Sequence, residues 1–157
     1  MKLSGQHIVI ISNEAWGTTW YSKHNYAFEL SQHNHVLFID PVTGWSVADL
    51  FRNSITKERI SNNLEVVRYN NVFPIRSRFL FKLNNRIVSA RLKKYFSGIG
   101  FSPFIFWSFD PYRLYNPKML GGKPALYQCM DNYAFKAMGE RELAANCDLV
   151  LGVGERL

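Results

Sequence analysis

The chain has 157 residues, of which 47% are hydrophobic and 15% aromatic. This composition excludes a disordered chain and suffices for one domain with a buried core. The net charge of +7 arises between Arg76 and Lys94, where seven basic residues occur without an acid, while the other twelve basic and twelve acidic residues cancel. No apolar run approaches the roughly 20 residues of a membrane span, and no signal peptide opens the chain. We therefore expect a cytoplasmic protein in which Cys129 and Cys147 are free thiols.

Short apolar runs alternate with helical patterns along the sequence. The predicted strands cover residues 7–12, 35–40, 64–69, 104–109, 125–129 and 148–153. The predicted helices cover residues 20–32, 77–96, 112–120 and about three turns after residue 131, and a short helix with an ordered loop is expected within 47–60. This alternation predicts an α/β fold with a doubly wound, Rossmann-like, mostly parallel sheet of about six strands in the order 3-2-1-4-5-6.

The basic segment reads as one amphipathic helix. Its predicted core stripe is Leu80, Leu83, Ile87 and Ala90. Arg78, Lys82 and Arg86 form a row at spacings of four residues beside exposed aromatic residues. Such a row suits an anionic membrane surface or another anion, and a solvated basic face is the alternative. The sequence has no nucleic-acid-binding motif, so nucleic acid is not an expected partner.

Two segments resemble bacterial glycosyltransferases of the two-domain GT-B fold. Residues 127–135, YQCMDNYAF, resemble the element YD-x-x-D-D/N-Y-x-x-F of that family. Glu142, six residues before Asp148, followed by Leu149-Val150, resembles a second family element, E-x-x-L-x-x-A-D-x-V-x-x-x-S-E-x-L. The opening strand, helix and strand resemble the family's first βαβ unit. The chain departs from these patterns at Gln128, where the family has an acid, and at Gly154, where it has a serine.

The resemblance implies that residues 1–157 are the N-terminal, acceptor-side domain of such an enzyme. A second domain, absent from this chain, would bind the nucleotide-sugar donor, so no cofactor is expected on this one. The implied reaction moves a sugar to a glycan or lipid-linked acceptor in cell-surface polysaccharide synthesis, at the inner face of the membrane. Alone, the domain is expected to be inactive and to self-associate through an apolar flank.

Candidate site residues follow the ends of the predicted strands, where ligands of doubly wound sheets bind. Asp110 follows the fourth strand and is the candidate catalytic base; its alternative role is to cap the next turn. Trp16, Gly17 and Thr18 follow the first strand, and Asp131 and Tyr133 follow the fifth, as candidate acceptor contacts. Aromatic rings match the C–H face of a sugar, although Trp16 and Tyr133 also suit core packing, and Asp131 also suits a helix cap.

Two other function classes remain open. A nucleotide-sugar epimerase has the same fold, but the loop after the first strand contains only Gly17 and lacks the G-x-G-x-x-G of dinucleotide-binding loops. A non-catalytic α/β module could dock on an anionic membrane or polymer through Arg76–Lys94. A metal site is not expected, because His33 and His35 have no third ligand at suitable spacing.

Overall fold

A computed structural model describes residues 3–52, 54–131 and 138–152, which form a mixed α/β, Rossmann-like fold. The strands in this part of the chain are β1 His7–Ile11, β2 His35–Ile39, β3 Thr56–Ser61, β4 Leu64–Arg68, β5 Phe104–Ser108, β6 Gly122–Gln128 and β7 Leu149–Leu151. The helices are α1 Ser22–Ser31, α2 Arg78–Gly98, α3 Pro117–Leu120 and α4 Glu140–Asn146, with a short 3₁₀ helix at Val47–Leu50.

The described strands form one sheet in the order β3-β4-β2-β1-β5-β6-β7. Every neighbouring pair is parallel except β3 and β4, which form an antiparallel hairpin. The predicted order of six strands is confirmed, because those strands are β4, β2, β1, β5, β6 and β7 in the sheet. β3 is a seventh strand, at the edge of the sheet, that was not predicted. Within the described part of residues 47–60, the expected short helix is the 3₁₀ helix Val47–Leu50, whereas the strand Thr56–Ser61 was not predicted.

Helices cover both faces of the sheet, as a doubly wound fold requires. On one face, α1 contributes Ala27 to a core cluster with Ile8, Ile10 and Phe38. On the other face, α2, α3 and α4 contribute Val88, Leu120 and Leu143 to a larger cluster, which also contains Val9 and Ile11. Alternate residues of β1 thus enter opposite cores.

The buried face of α2 differs from the predicted stripe. The buried residues of the helix are Phe81, Asn84, Asn85, Val88, Ser89, Leu92 and Phe96. The predicted stripe is therefore wrong: Leu80, Leu83 and Ile87 are only partly buried, and Ala90 is exposed. The face is set by two asparagines that bond to loops: Asn84 accepts from the N–H groups of Val72 and Phe73, and Asn85 accepts from that of Leu114.

The C-terminal part of the sheet ends in a short edge strand. All three residues of β7 are exposed. In α4 the buried residue is Leu143, whereas Arg141 and Ala145 are exposed, as is Met138 just before the helix. Residues 132–137 of the predicted helix lie outside the described residues. No described helix is long and apolar enough to cross a membrane.

Candidate functional site

The carboxyl ends of the strands meet in a crevice beside β1. β2 and β5 pair with opposite sides of β1, so the chain leaves β1 on one side and returns on the other. Loops diverge at such a switch point and leave a space in which ligands of this fold class bind. The loops that follow β1, β2, β4 and β5 supply the walls of this crevice.

Arg113 connects four strand ends at the base of the crevice. Its Nε donates to Asp110 Oδ2 at 2.7 Å, and its Nη1 donates to the Tyr69 hydroxyl at 2.9 Å. Its Nη2 donates to the backbone carbonyls of Ser12, after β1, and Ile39, at the end of β2. Asp110 and Arg113 are both buried. Buried charges need partners of this kind, because an unpaired one carries a large desolvation cost.

Asp110 also caps the turn that follows it, which is the alternative role that its position in the sequence predicted. Its Oδ1 accepts from the Tyr112 N–H at 2.9 Å, which caps the turn after β5. Leu114, two residues further on, has a φ of 49°, which is unusual for a leucine, and its N–H donates to Asn85. Capping and the ion pair together use two of the roughly four acceptor positions of the Asp110 carboxylate.

A second buried cation lies at the end of β1. Lys23, in the first turn of α1, is buried and contacts the side chains of Asn13 and Glu14. Burial lowers the pKa of Lys23 to about 8, and the negative charge of Asp110 opposes this change. Lys23 and Arg113 thus bring two cationic groups near the Asp110 carboxylate.

Trp16 forms part of the wall but is largely committed to packing. Its ring makes an edge contact with Phe38 at 5.0 Å and a tilted contact with His24 at 5.4 Å. The backbone N–H of Trp16 donates to Asp40 Oδ1 at 2.8 Å, and Asp40 Oδ2 accepts from Arg68 Nε at 2.7 Å. Burial lowers the pKa of His24, whose Nδ1 accepts from the backbone N–H of Tyr21. Core packing, the alternative role predicted for Trp16, therefore accounts for most of its surface.

Two adjacent cavities open at this edge of the sheet. The larger, about 500 Å³, is lined by Asn13, Asp110 and Arg113 on one side and by Trp45, Asn71 and Phe73 on another. The smaller, about 340 Å³, contains Trp16, Asp40 and Arg68 in its walls. Both cavities share Pro41 and Thr43. The predicted residues Asp110 and Trp16 are therefore brought close, but they lie in separate compartments.

Trp45 is the aromatic residue that the larger cavity exposes most. Its side chain is 53% exposed. The backbone around it is fixed to the loop after β4, because the Asn71 N–H donates to Gly44 O at 3.1 Å and the Ser46 N–H donates to Asn71 O at 2.9 Å. Sequence analysis missed Trp45, although a tryptophan in the loop after β2 was a usable signal. Lys23 and Arg113 were also missed, since nothing in the sequence marks either cation as buried.

The remaining predicted contacts are less well placed. Gly17 and Thr18 are exposed and line neither cavity. Gly17 lacks a positive φ, so its backbone does not require glycine. Asp131 is exposed and its carbonyl accepts from Cys129 Sγ at 3.0 Å, while Tyr133 lies outside the described residues. Within the described ranges, no group of three or more His, Cys, Asp or Glu side chains could hold a metal.

The predicted basic row on α2 is exposed, but it is not free of acids. Arg78 Nη2 donates to Glu142 Oε1 at 2.8 Å. Burial raises the pKa of Glu142, but the hydrogen bond from Arg78 and the charges of Arg78 and Lys82 more than compensate, so that the net shift is downward. The row therefore borders α4, whose carboxylate neutralises part of its charge.

A comparison of the chain with protein-family models gives no match, and neither does a comparison with curated proteins.

Proposed function

We propose that this chain is the acceptor-side domain of a GT-B glycosyltransferase, which transfers a sugar from a nucleotide-sugar to a glycan or lipid-linked acceptor. One observation carries the proposal: the cavity of about 500 Å³ at the β1–β5 switch point contains both the Asp110 carboxylate and the exposed Trp45 ring. The sheet order and the sequence resemblance support the same assignment. The nucleotide-sugar would be bound by a second domain.

The lining of the cavity suits a neutral sugar unit. A flat indole matches the apolar C–H face of a pyranose, and Trp45 is free of stacking contacts with the described aromatic rings. Asn13, Thr43 and Asn71 lie around the same space and offer groups that exchange hydrogen bonds with hydroxyls. The volume falls within the range of about 300–1,000 Å³ typical of small-molecule sites.

Asp110 is the residue that we propose as the base. It borders the cavity and retains acceptor positions that Arg113 and Tyr112 do not use. An acceptor hydroxyl within hydrogen-bond distance would give its proton to this carboxylate as its oxygen bonds to the anomeric carbon of the donor sugar. The bond from that carbon to the donor phosphate would break at the same time, and the nucleotide would leave with that phosphate. Arg113 would hold the carboxylate in place. We also propose a cytoplasmic location at the inner membrane face, in keeping with the free thiols of Cys129 and Cys147.

The test is a transfer assay with the full-length protein, a panel of nucleotide-sugars and a membrane lipid extract as acceptor. We expect Asp110→Asn to lower kcat by about 10²–10⁴-fold, the range for loss of a general base. Trp45→Ala should instead raise KM for the acceptor and leave kcat largely unchanged. Far-UV circular dichroism at the assay temperature checks that both variants are folded.

The outcomes separate the alternatives. Unchanged turnover of a folded Asp110→Asn variant would leave Asp110 with its capping and ion-pairing role alone. Release of a nicotinamide dinucleotide on denaturation of the purified protein would favour the epimerase. Absence of transfer with every donor, for a protein that still binds anionic surfaces, would favour the non-catalytic module.

A further inference from the structure

A third cavity lies away from the crevice, between the 3₁₀ helix and the C-terminal half of α2. Its volume is about 400 Å³, and its walls are formed by Leu50, Phe51, Arg52, Arg91, Lys94, Tyr95, Gly98 and Ile99. These residues come from two segments that are about 40 positions apart in the chain. The cavity belongs to neither compartment at the carboxyl edge and is not used in the proposed transfer reaction.

The charge of this cavity is of one sign. Arg52, Arg91 and Lys94 line it, and among the described residues no acidic side chain does. Asp49, in the 3₁₀ helix itself, is buried and does not line the cavity. No ion pair of Arg52, Arg91 or Lys94 is formed within the described ranges. Three unpaired cations around one concave space form a focused positive field.

The rim of the cavity is apolar and exposed. Phe51 is 90% exposed, Leu50 is 40% exposed and Ile99 is 44% exposed. A phenylalanine exposed to this extent has little packing of its own, so its exposure carries a cost in water. Cations below an exposed apolar rim match a ligand with a negatively charged head and a hydrocarbon body.

The basic residues on the two flanks of α2 differ in their acidic neighbours and in the surface that they border. At 3.6 residues per turn, Arg91 and Lys94 lie on the opposite side of the helix from Arg78, Lys82 and Arg86. The Arg78 row borders α4 and has Glu142 as an ion-pair partner. The Arg91 flank borders a cavity that can accommodate a headgroup, and it has no acidic lining.

From these observations we propose that the cavity formed by Arg52, Arg91 and Lys94 binds the headgroup region of an anionic phospholipid bilayer. The phosphates of the bilayer surface lie against the three cations, and Phe51, Leu50 and Ile99 enter the interface. This site differs from the row Arg78, Lys82 and Arg86 predicted from the sequence. It does not depend on glycosyl transfer, so the failure of either proposal leaves the other standing.

The test is flotation of the purified chain with vesicles of phosphatidylglycerol and phosphatidylcholine, compared with vesicles of phosphatidylcholine alone. We expect binding only to the anionic vesicles, and release as the salt concentration rises. The variant Arg52→Gln/Arg91→Gln/Lys94→Gln should bind about a hundred-fold more weakly, because each basic residue near the surface contributes about 1 kcal/mol. Phe51→Ser should weaken binding to the anionic vesicles without changing the salt dependence.

The matched control is Arg78→Gln/Lys82→Gln/Arg86→Gln, which removes the same charge from the other flank of the same helix. We expect its affinity to fall by less than about tenfold. Circular dichroism and thermal melting verify that each variant is folded. Inorganic phosphate, compared with chloride at equal ionic strength, should not displace the protein from vesicles.

Four results would overturn the proposal. The wild-type chain could fail to float with anionic vesicles at low salt. The two triple variants could lose affinity equally, which would indicate a diffuse charge effect. The control could lose more affinity than the cavity variant, which would assign the contact to the Arg78 row. Displacement by inorganic phosphate beyond the ionic-strength effect would indicate a site for a free anion.

Discussion

Arg113, at the carboxyl edge of the sheet, is buried and donates to a carboxylate, a hydroxyl and two carbonyls, whereas Arg91, on the outer side of α2, faces a cavity without acidic lining. The donors of Arg113 are bonded within the protein, so Arg113 holds the strand ends in place and contributes a positive charge to the crevice. Arg91 is only partly buried and makes no ion pair within the described ranges, so its donors are available for a partner, and its attraction is screened by salt. The same residue type therefore serves structure in one region and recognition in the other.

The largest expected effect is the loss of stability when the buried Arg113 is replaced. Arg113→Leu removes one partner of the buried ion pair and leaves Asp110 without its cation, which should lower the free energy of unfolding by about 3–5 kcal/mol. The matched variant Arg78→Leu removes an exposed ion pair with Glu142 and should change it by at most about 1 kcal/mol. Urea denaturation measures both, and equal effects would show that burial does not distinguish the two arginines.

A second prediction concerns the protonation of Lys23. Its pKa falls from 10.5 to about 8 on folding, mainly through burial. Between these two values the unfolded chain holds the proton and the folded chain does not, so the stability contribution of Lys23 rises as pH rises through that window. NMR of ¹³Cε-labelled lysine should give a midpoint near 8.

Lys23→Met identifies the Lys23 resonance by its disappearance and should abolish the rise in stability. A midpoint at or above the unperturbed value would show that the contact with Glu14 outweighs burial. In that case, Lys23 would be an ordinary ion-paired lysine, and the crevice would contain one strongly perturbed cation fewer.

The smallest expected effect on stability is that of Gly17→Ala. A Cβ added there meets no atom within 4 Å, and the backbone has no positive φ, so Gly17→Ala should change stability by less than about 0.5 kcal/mol. The control is Gly122→Ala, whose Cβ would lie 2.6 Å from Phe106 Cβ and should cost about 1–3 kcal/mol. Thermal melting compares the two.

Reduced transfer by a fully stable Gly17→Ala variant would indicate close approach of a ligand to this loop. Destabilisation as large as that of Gly122→Ala would show instead that the loop itself requires glycine, which would contradict its present geometry.

The order of six strands was predictable because each is an apolar run, and a parallel sheet covered on both faces needs such runs. β3 was not, because its sequence TKERIS is polar and its side chains are mostly exposed at the sheet edge. The buried face of α2 was misassigned because hydropathy gives no weight to an asparagine that bonds to a distant loop. Asp110 could be located from its position after β5, but Arg113 acquires its role from partners 44, 74 and 101 residues away.

Asn84 and Asn85 connect α2 to loops at the crevice through hydrogen bonds. Asn84 holds Phe73, and Asn85 holds Leu114 next to Arg113, so both side chains clamp segments that border the larger cavity. Arg91 lies six residues further along the same rigid helix, about 9 Å away along its axis. The helix thus connects the Arg91 flank to two of the segments that border the larger cavity. A displacement of α2 along its axis would therefore act on both segments together.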